Sequence, residues 1–141
     1  MTQDEAATHW QKRAHAELKA ARILFEKEEL DVYGEVLFHC HLALELALKA
    51  AFIRKEDTAA PFTHDLNELA DAMQIIRTQD ERDEFEEITE CAILSRYGDE
   101  AWHGQRQRKK MCRNGCRRLR NSFQYFFHHE AARSSRIGKE V

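Results

Sequence analysis

The chain has 141 residues, with 25 acidic and 22 basic side chains, a net charge of −3, and 43% hydrophobic against 33% charged residues. That length suits one domain with a real core, and the balance excludes a disordered or strongly polyionic chain. One proline and five glycines leave few helix breakers, so the expectation is an all-α protein.

Taken in chain order, Ala7, Trp10, Ala14, Leu18, Ala21, Leu24 and Phe25 recur at three and four. This is the period of one helix face and predicts a helix over 4–27, with Thr2 and Asp4 as candidate caps. A second stripe of Tyr33, Val36, Leu37, Cys40, Leu44, Ala47, Leu48 and Ala51 predicts the most apolar helix, over 31–54. The stretch EDTAAPF, with the single proline, follows as a loop. Thr63 then reads as the cap of a short helix whose buried edge is Leu66, Leu69 and Met73, with Glu68 in its first turns where an acid suits the helix dipole. A third long helix over 79–94 turns Phe85, Ile88, Cys91 and Ala92 inward, and Gly98 stops it. From Gly104 a last long helix runs through Met111, Gly115, Leu119, Phe123 and Phe126 or Phe127, with Gly115 permitting close packing. Residues 134–141 lack periodicity and should fray, which leaves one domain over 1–133. Short connections and the absence of repeats make an antiparallel up-down bundle of four long helices plus one short helix the simplest assembly.

No unbroken apolar run approaches the roughly 18 residues of a membrane span. The start MTQDEAATHW is polar and acidic, unlike a secretion signal. A cytoplasmic protein without a membrane partner is expected. On that footing Cys40, Cys91, Cys112 and Cys116 read as reduced thiols within helices. Cys112 and Cys116 with His39 and His41 would make a nominal zinc set, but two histidines two residues apart on a helix point roughly 160° away from each other. No metal and no cofactor is expected.

Charge is segregated along the sequence. Residues 80–90 hold seven acids and one arginine, whereas residues 105–120 hold eight basic residues and no acid. One reading sets neighbouring helices of opposite charge against each other. The other makes Arg106, Arg108, Lys109, Lys110, Arg113 and Arg117 an electrostatic patch for phosphate or RNA.

Within the apolar second helix, His41, Glu45 and Lys49 recur every four residues. On a solvated edge Glu45 and Lys49 are an ordinary i,i+4 pair worth a few tenths of a kcal/mol. Facing a groove, Lys49 would serve as a compact cation for phosphate, steadied by Glu45, with protonated His41 donating to the same anion. The motifs that carry more than this are Phe38, His41, Glu45, Lys49 and Ala50, then Thr63-His64-Asp65-Leu66, then Arg96-Tyr97-Gly98-Asp99. Together and in this order they resemble the HEPN domain family (higher eukaryotes and prokaryotes nucleotide-binding), whose small stand-alone members carry an aromatic, a Gln or His, Glu-x-x-x-Lys-Ala, Thr-His-Asp-Leu and Arg-Tyr-Pro-Asp. Gly98 departs from that proline. The resemblance covers about residues 10–127.

The resemblance implies a four- or five-helix bundle that forms a homodimer, often encoded beside a minimal nucleotidyltransferase. The function expected from it is a nucleotide- or RNA-phosphate-binding partner module with His41, Glu45, Lys49 and His64 lining the ligand groove. An apolar surplus also predicts the dimer: Leu42, Ala43, Phe52 and Ile53 lie outside the second helix's main stripe. The alternative is a metal-independent endoribonuclease of toxin type, since some family members use Arg-x(4 to 6)-His. Arg96 and His103 have six residues between them, and an imidazole can take the proton of a 2′-hydroxyl while a guanidinium steadies charge on the phosphate. Tyr97 stands where a polar residue is usual. A second pair, Arg120 and His128, is separated by seven residues, too many for the motif.

Overall fold

A computed structural model describes residues 2–27, 29 and 32–97. These form α1 (Gln3–Glu26), α2 (Tyr33–Glu56), α3 (Leu66–Ala72) and α4 (Gln79–Tyr97), with no strand among the described residues. The all-α expectation holds, and its fourth long helix and tail fall outside the described residues.

Helices α1, α3 and α4 each start at a side-chain cap, whereas α2 has none. The Thr2 hydroxyl accepts the Glu5 backbone N–H while the Glu5 carboxylate accepts that of Thr2, a reciprocal pair that satisfies two otherwise orphaned donors. For α3 the cap is Asp65 rather than the expected Thr63. The Asp65 carboxylate accepts from the backbone of Asn67 and Glu68, because Asp65 directly precedes the first helical residue, the only place from which a short side chain reaches those donors. Thr63 braces the cap instead, accepting from the Asp65 backbone and donating to Glu68. At α4 the Thr78 hydroxyl accepts the Glu81 N–H. Asp57 takes the left-handed conformation at φ 51° and ψ 39°, and α2 stops there, two residues beyond its expected end.

Helices α1 and α2 run antiparallel. Arg54, near the end of α2, donates to Gln11 at 2.5 Å and Thr8 at 3.2 Å, near the start of α1. His39, early in α2, meets Glu17, later in α1. Ala7, Ala14, Leu18 and Ala21 of α1 are buried on one face, as the periodicity predicts. Helix α2 is different. Val36, Leu37, Cys40, Ala43, Leu44, Ala47, Leu48, Ala50 and Ile53 are all buried, so it has no solvated side along much of its length. The segment Gly34–Glu56 is apolar and long enough to cross a membrane by composition, and 72% of that window is buried inside the bundle, which accounts for its character.

Leu66 and Leu69 of α3 join the same core, with Phe85 and Ile88 of α4 packed against it. Trp10 covers a smaller cluster of Ala7, Ala50 and Ile53. A polar clasp closes the α3–α4 connection. Asp71 accepts from Arg77 at 2.6 Å and from Arg82 at 3.1 Å, and the Arg77 bond, aided by Arg82, holds the Asp71 carboxyl below its ordinary value. The Arg77 guanidinium is itself buried, 5.8 Å from the centre of the Phe85 ring.

Candidate functional site

Positions 41, 45 and 49 share one side of α2, since four residues advance a helix by little more than one turn. That side is not a solvated edge. His41, Glu45 and Lys49 are all buried, and a buried charge persists only where it is paired and hydrogen-bonded. The pairing centres on one oxygen of Glu45. Lys49 Nζ donates to Oε1 at 2.9 Å, His64 Nδ1 lies 2.8 Å from the same oxygen, and His41 Nδ1 stands 3.7 Å from Oε2.

The loop that brings His64 to this place is fastened by the same residues. His41 Nε2 is 2.8 Å from the His64 backbone carbonyl, and a carbonyl only accepts, so Nε2 carries the hydrogen. Burial lowers the His41 pKa from the ordinary 6.5, more than the carbonyl bond and the Glu45 charge raise it. His41 is therefore a neutral donor in its Nε2–H tautomer, with its Nδ1 lone pair on the Glu45 side. His64 is thus held twice, by its carbonyl to His41 and by its ring to Glu45.

The same bookkeeping fixes the His64 ring. A carboxylate has no hydrogen to give, so Nδ1 donates and the outward nitrogen is Nε2. The His64 side chain is 84% exposed, whereas those of Glu45 and Lys49 are 6% and 11% exposed. Of the three buried side chains, Glu45 meets the exposed imidazole, His41 meets the backbone carbonyl of the same residue, and Lys49 meets Glu45. Lys49 is turned to Glu45 inside the bundle, so the exposed side chain that this cluster offers to a ligand is His64, through Nε2.

The four residues of the expected ligand site come together in the structure. Arg96 lies in the last turn of α4, but its side chain, His103, and the patch residues Arg106, Arg108, Lys109, Lys110, Arg113 and Arg117 lie outside the described residues. His39 and His41 diverge as their spacing requires, His39 to Glu17 and His41 to the His64 carbonyl. Among the described residues no group of three His, Cys, Asp or Glu side chains could hold a metal ion. Sequence reading missed the contact of Glu17 with His39 and the clasp of Asp71, Arg77 and Arg82. Only the composition hints at the first, since His39 is a polar residue within an apolar helix.

Compared with known families, the chain matches the family model described as HEPN domain over residues 7–124. No curated protein and no solved structure matches it.

Proposed function

The chain belongs to the HEPN domain family, and from that premise we propose that it is a nucleotide- or RNA-phosphate-binding module that acts with a separately encoded minimal nucleotidyltransferase. The observation that carries this reading is an exposed His64 ring fastened to the buried Glu45, an arrangement that supports a contact group more than a solvated loop residue. The basic run of 105–120 supplies eight cations in sequence for the phosphate backbone. On this reading Glu45, Lys49 and His41 orient the site, His64 touches the ligand, and phosphate attraction comes from the basic run.

Titration of a labelled RNA oligonucleotide or ATP at two salt concentrations tests the proposal. Binding that weakens as salt rises supports it, and no binding at either concentration contradicts it. A homodimer belongs to the same reading. Ile23, Phe62, Ile76 and Ile93 are exposed apolar side chains, and a two-fold contact is the commonest cover for such surface. Light scattering with only a 16.6 kDa species at micromolar protein would remove that part.

A second reading, a metal-independent endoribonuclease, draws on family membership and on the six residues between Arg96 and His103. Incubation with total RNA in EDTA separates the two readings. Cleavage lost in both Arg96→Ala and His103→Ala favours the nuclease, and no cleavage by the folded protein excludes it.

A further inference from the structure

Donor and acceptor bookkeeping at His64 narrows the ligand group that the site can take. The Nδ1–H is spent on Glu45 at 2.8 Å, and that carboxylate already accepts Lys49 at 2.9 Å. The His64 carbonyl is spent on His41. What remains toward solvent is Nε2, which in the neutral ring is a lone pair and therefore only an acceptor. A phosphate diester oxygen is also only an acceptor, so neutral Nε2 has nothing to bond there. A hydroxyl is both donor and acceptor, and the hydroxyl that a nucleic acid carries beside its phosphates is the ribose 2′-OH.

Resting on the reading of the chain as a nucleotide- or RNA-binding module, we propose that His64 is a specificity-determining contact that accepts the ribose 2′-hydroxyl at Nε2, with Glu45 as the positioning residue that fixes its tautomer. The basic run attracts ribo- and deoxyribo-phosphates alike, since phosphate contacts carry no information about the sugar. Among the described residues, His64 is an exposed group whose hydrogen-bonding capacity is set by the fold, and discrimination falls to it. His39 provides the internal comparison: its Nδ1 also meets a carboxylate, but its side chain is 25% exposed and serves the contact between α1 and α2.

The test uses the full chain and single-stranded oligonucleotides of one sequence made as RNA, DNA and 2′-fluoro RNA, titrated at about pH 8 and low salt. The fluoro sugar keeps an RNA-like pucker without the donor. Wild type should bind RNA about three- to tenfold more tightly than the other two polymers, the yield of one neutral hydrogen bond. In His64→Ala that ratio should fall to about one, with DNA affinity within about twofold of wild type and unchanged circular dichroism. His39→Ala should keep the wild-type ratio. Equal binding of RNA and 2′-fluoro RNA by wild type, or a preference that persists in His64→Ala, overturns this inference and leaves the binding module standing. Absence of binding to all three polymers removes the binding module and this inference together.

Discussion

Glu17 on α1 and Glu45 on α2 are built from the same parts: each meets Nδ1 of a histidine and a cation four residues away on its own helix. Around Glu17 the cation, Arg13, is 57% exposed and the histidine, His39, only 25%. Around Glu45 the order is reversed, with Lys49 inside and His64 outside. The backbone from which each histidine hangs decides the outcome. His39 belongs to a helix pressed against α1, so its ring becomes a clasp between two helices. His64 lies on the loop ahead of α3, so the same bond leaves its other edge in water. A carboxylate and an imidazole fasten two elements in either case; only the second arrangement also presents a nitrogen.

The largest expected effect comes from removing the two carboxylates separately. Glu45→Ala strands the buried Lys49 charge and releases the His64 ring, so it should cost about 3–5 kcal/mol in urea unfolding. Glu17→Ala leaves Arg13 free to turn to water and should cost about 1 kcal/mol. Equal losses would break the comparison. The double change Glu45→Leu with Lys49→Met sharpens it, because deleting both buried charges should recover at least half of the loss from Glu45→Leu alone.

Histidine substitutions come next in size. His39→Ala removes a partly buried contact and should lower stability by about 1–2 kcal/mol. His64→Ala should lower it by no more than about 1 kcal/mol, since water can reach the vacated position. A larger loss for His64 than for His39 would reverse the assignment of clasp and presented ring.

The pH dependence is the smallest expected effect. Burial depresses the His41 pKa below 6.5, so the unfolded chain binds a proton more readily than the folded one. The contribution of His41 to stability is therefore complete above about pH 6.5 and declines as pH falls below it toward the folded value. His41→Gln, which retains a donor for the His64 carbonyl and cannot titrate, should flatten that decline. Unfolding curves of both proteins across this range read the difference.

Much of the fold was legible because helix periodicity is local. The stripe from Ala7 through Ala21 and the edge of Leu66 and Leu69 are buried as their spacing implies. The limit of that reasoning is clearest on α2. Sorting residues by hydrophobicity admits His41, Glu45 and Lys49 to a solvated edge or a groove, yet they are interior because they satisfy one another and His64. Such a network is a tertiary property. Glu45 and His64 are 19 residues apart and Glu17 and His39 are 22 apart, and no pattern within a helix encodes either meeting. Family resemblance located the Thr63-His64-Asp65-Leu66 element but not the division of labour inside it, where Asp65 caps α3, Thr63 braces the cap and His64 turns back to α2. Arg77 was missed for the same reason, since its partner Asp71 and the Phe85 ring come from the two helices that it joins.

The central claim is that buried Glu45 sets the direction and tautomer of an exposed His64, and the ring nitrogens report this directly. Long-range nitrogen–proton correlation spectra of histidine-labelled protein at about pH 8 should show a protonated Nδ1 and an unprotonated Nε2 at His64, and Glu45→Ala should abolish that preference. A wild-type His64 ring carrying its hydrogen on Nε2, or a pattern unchanged by Glu45→Ala, would contradict the account.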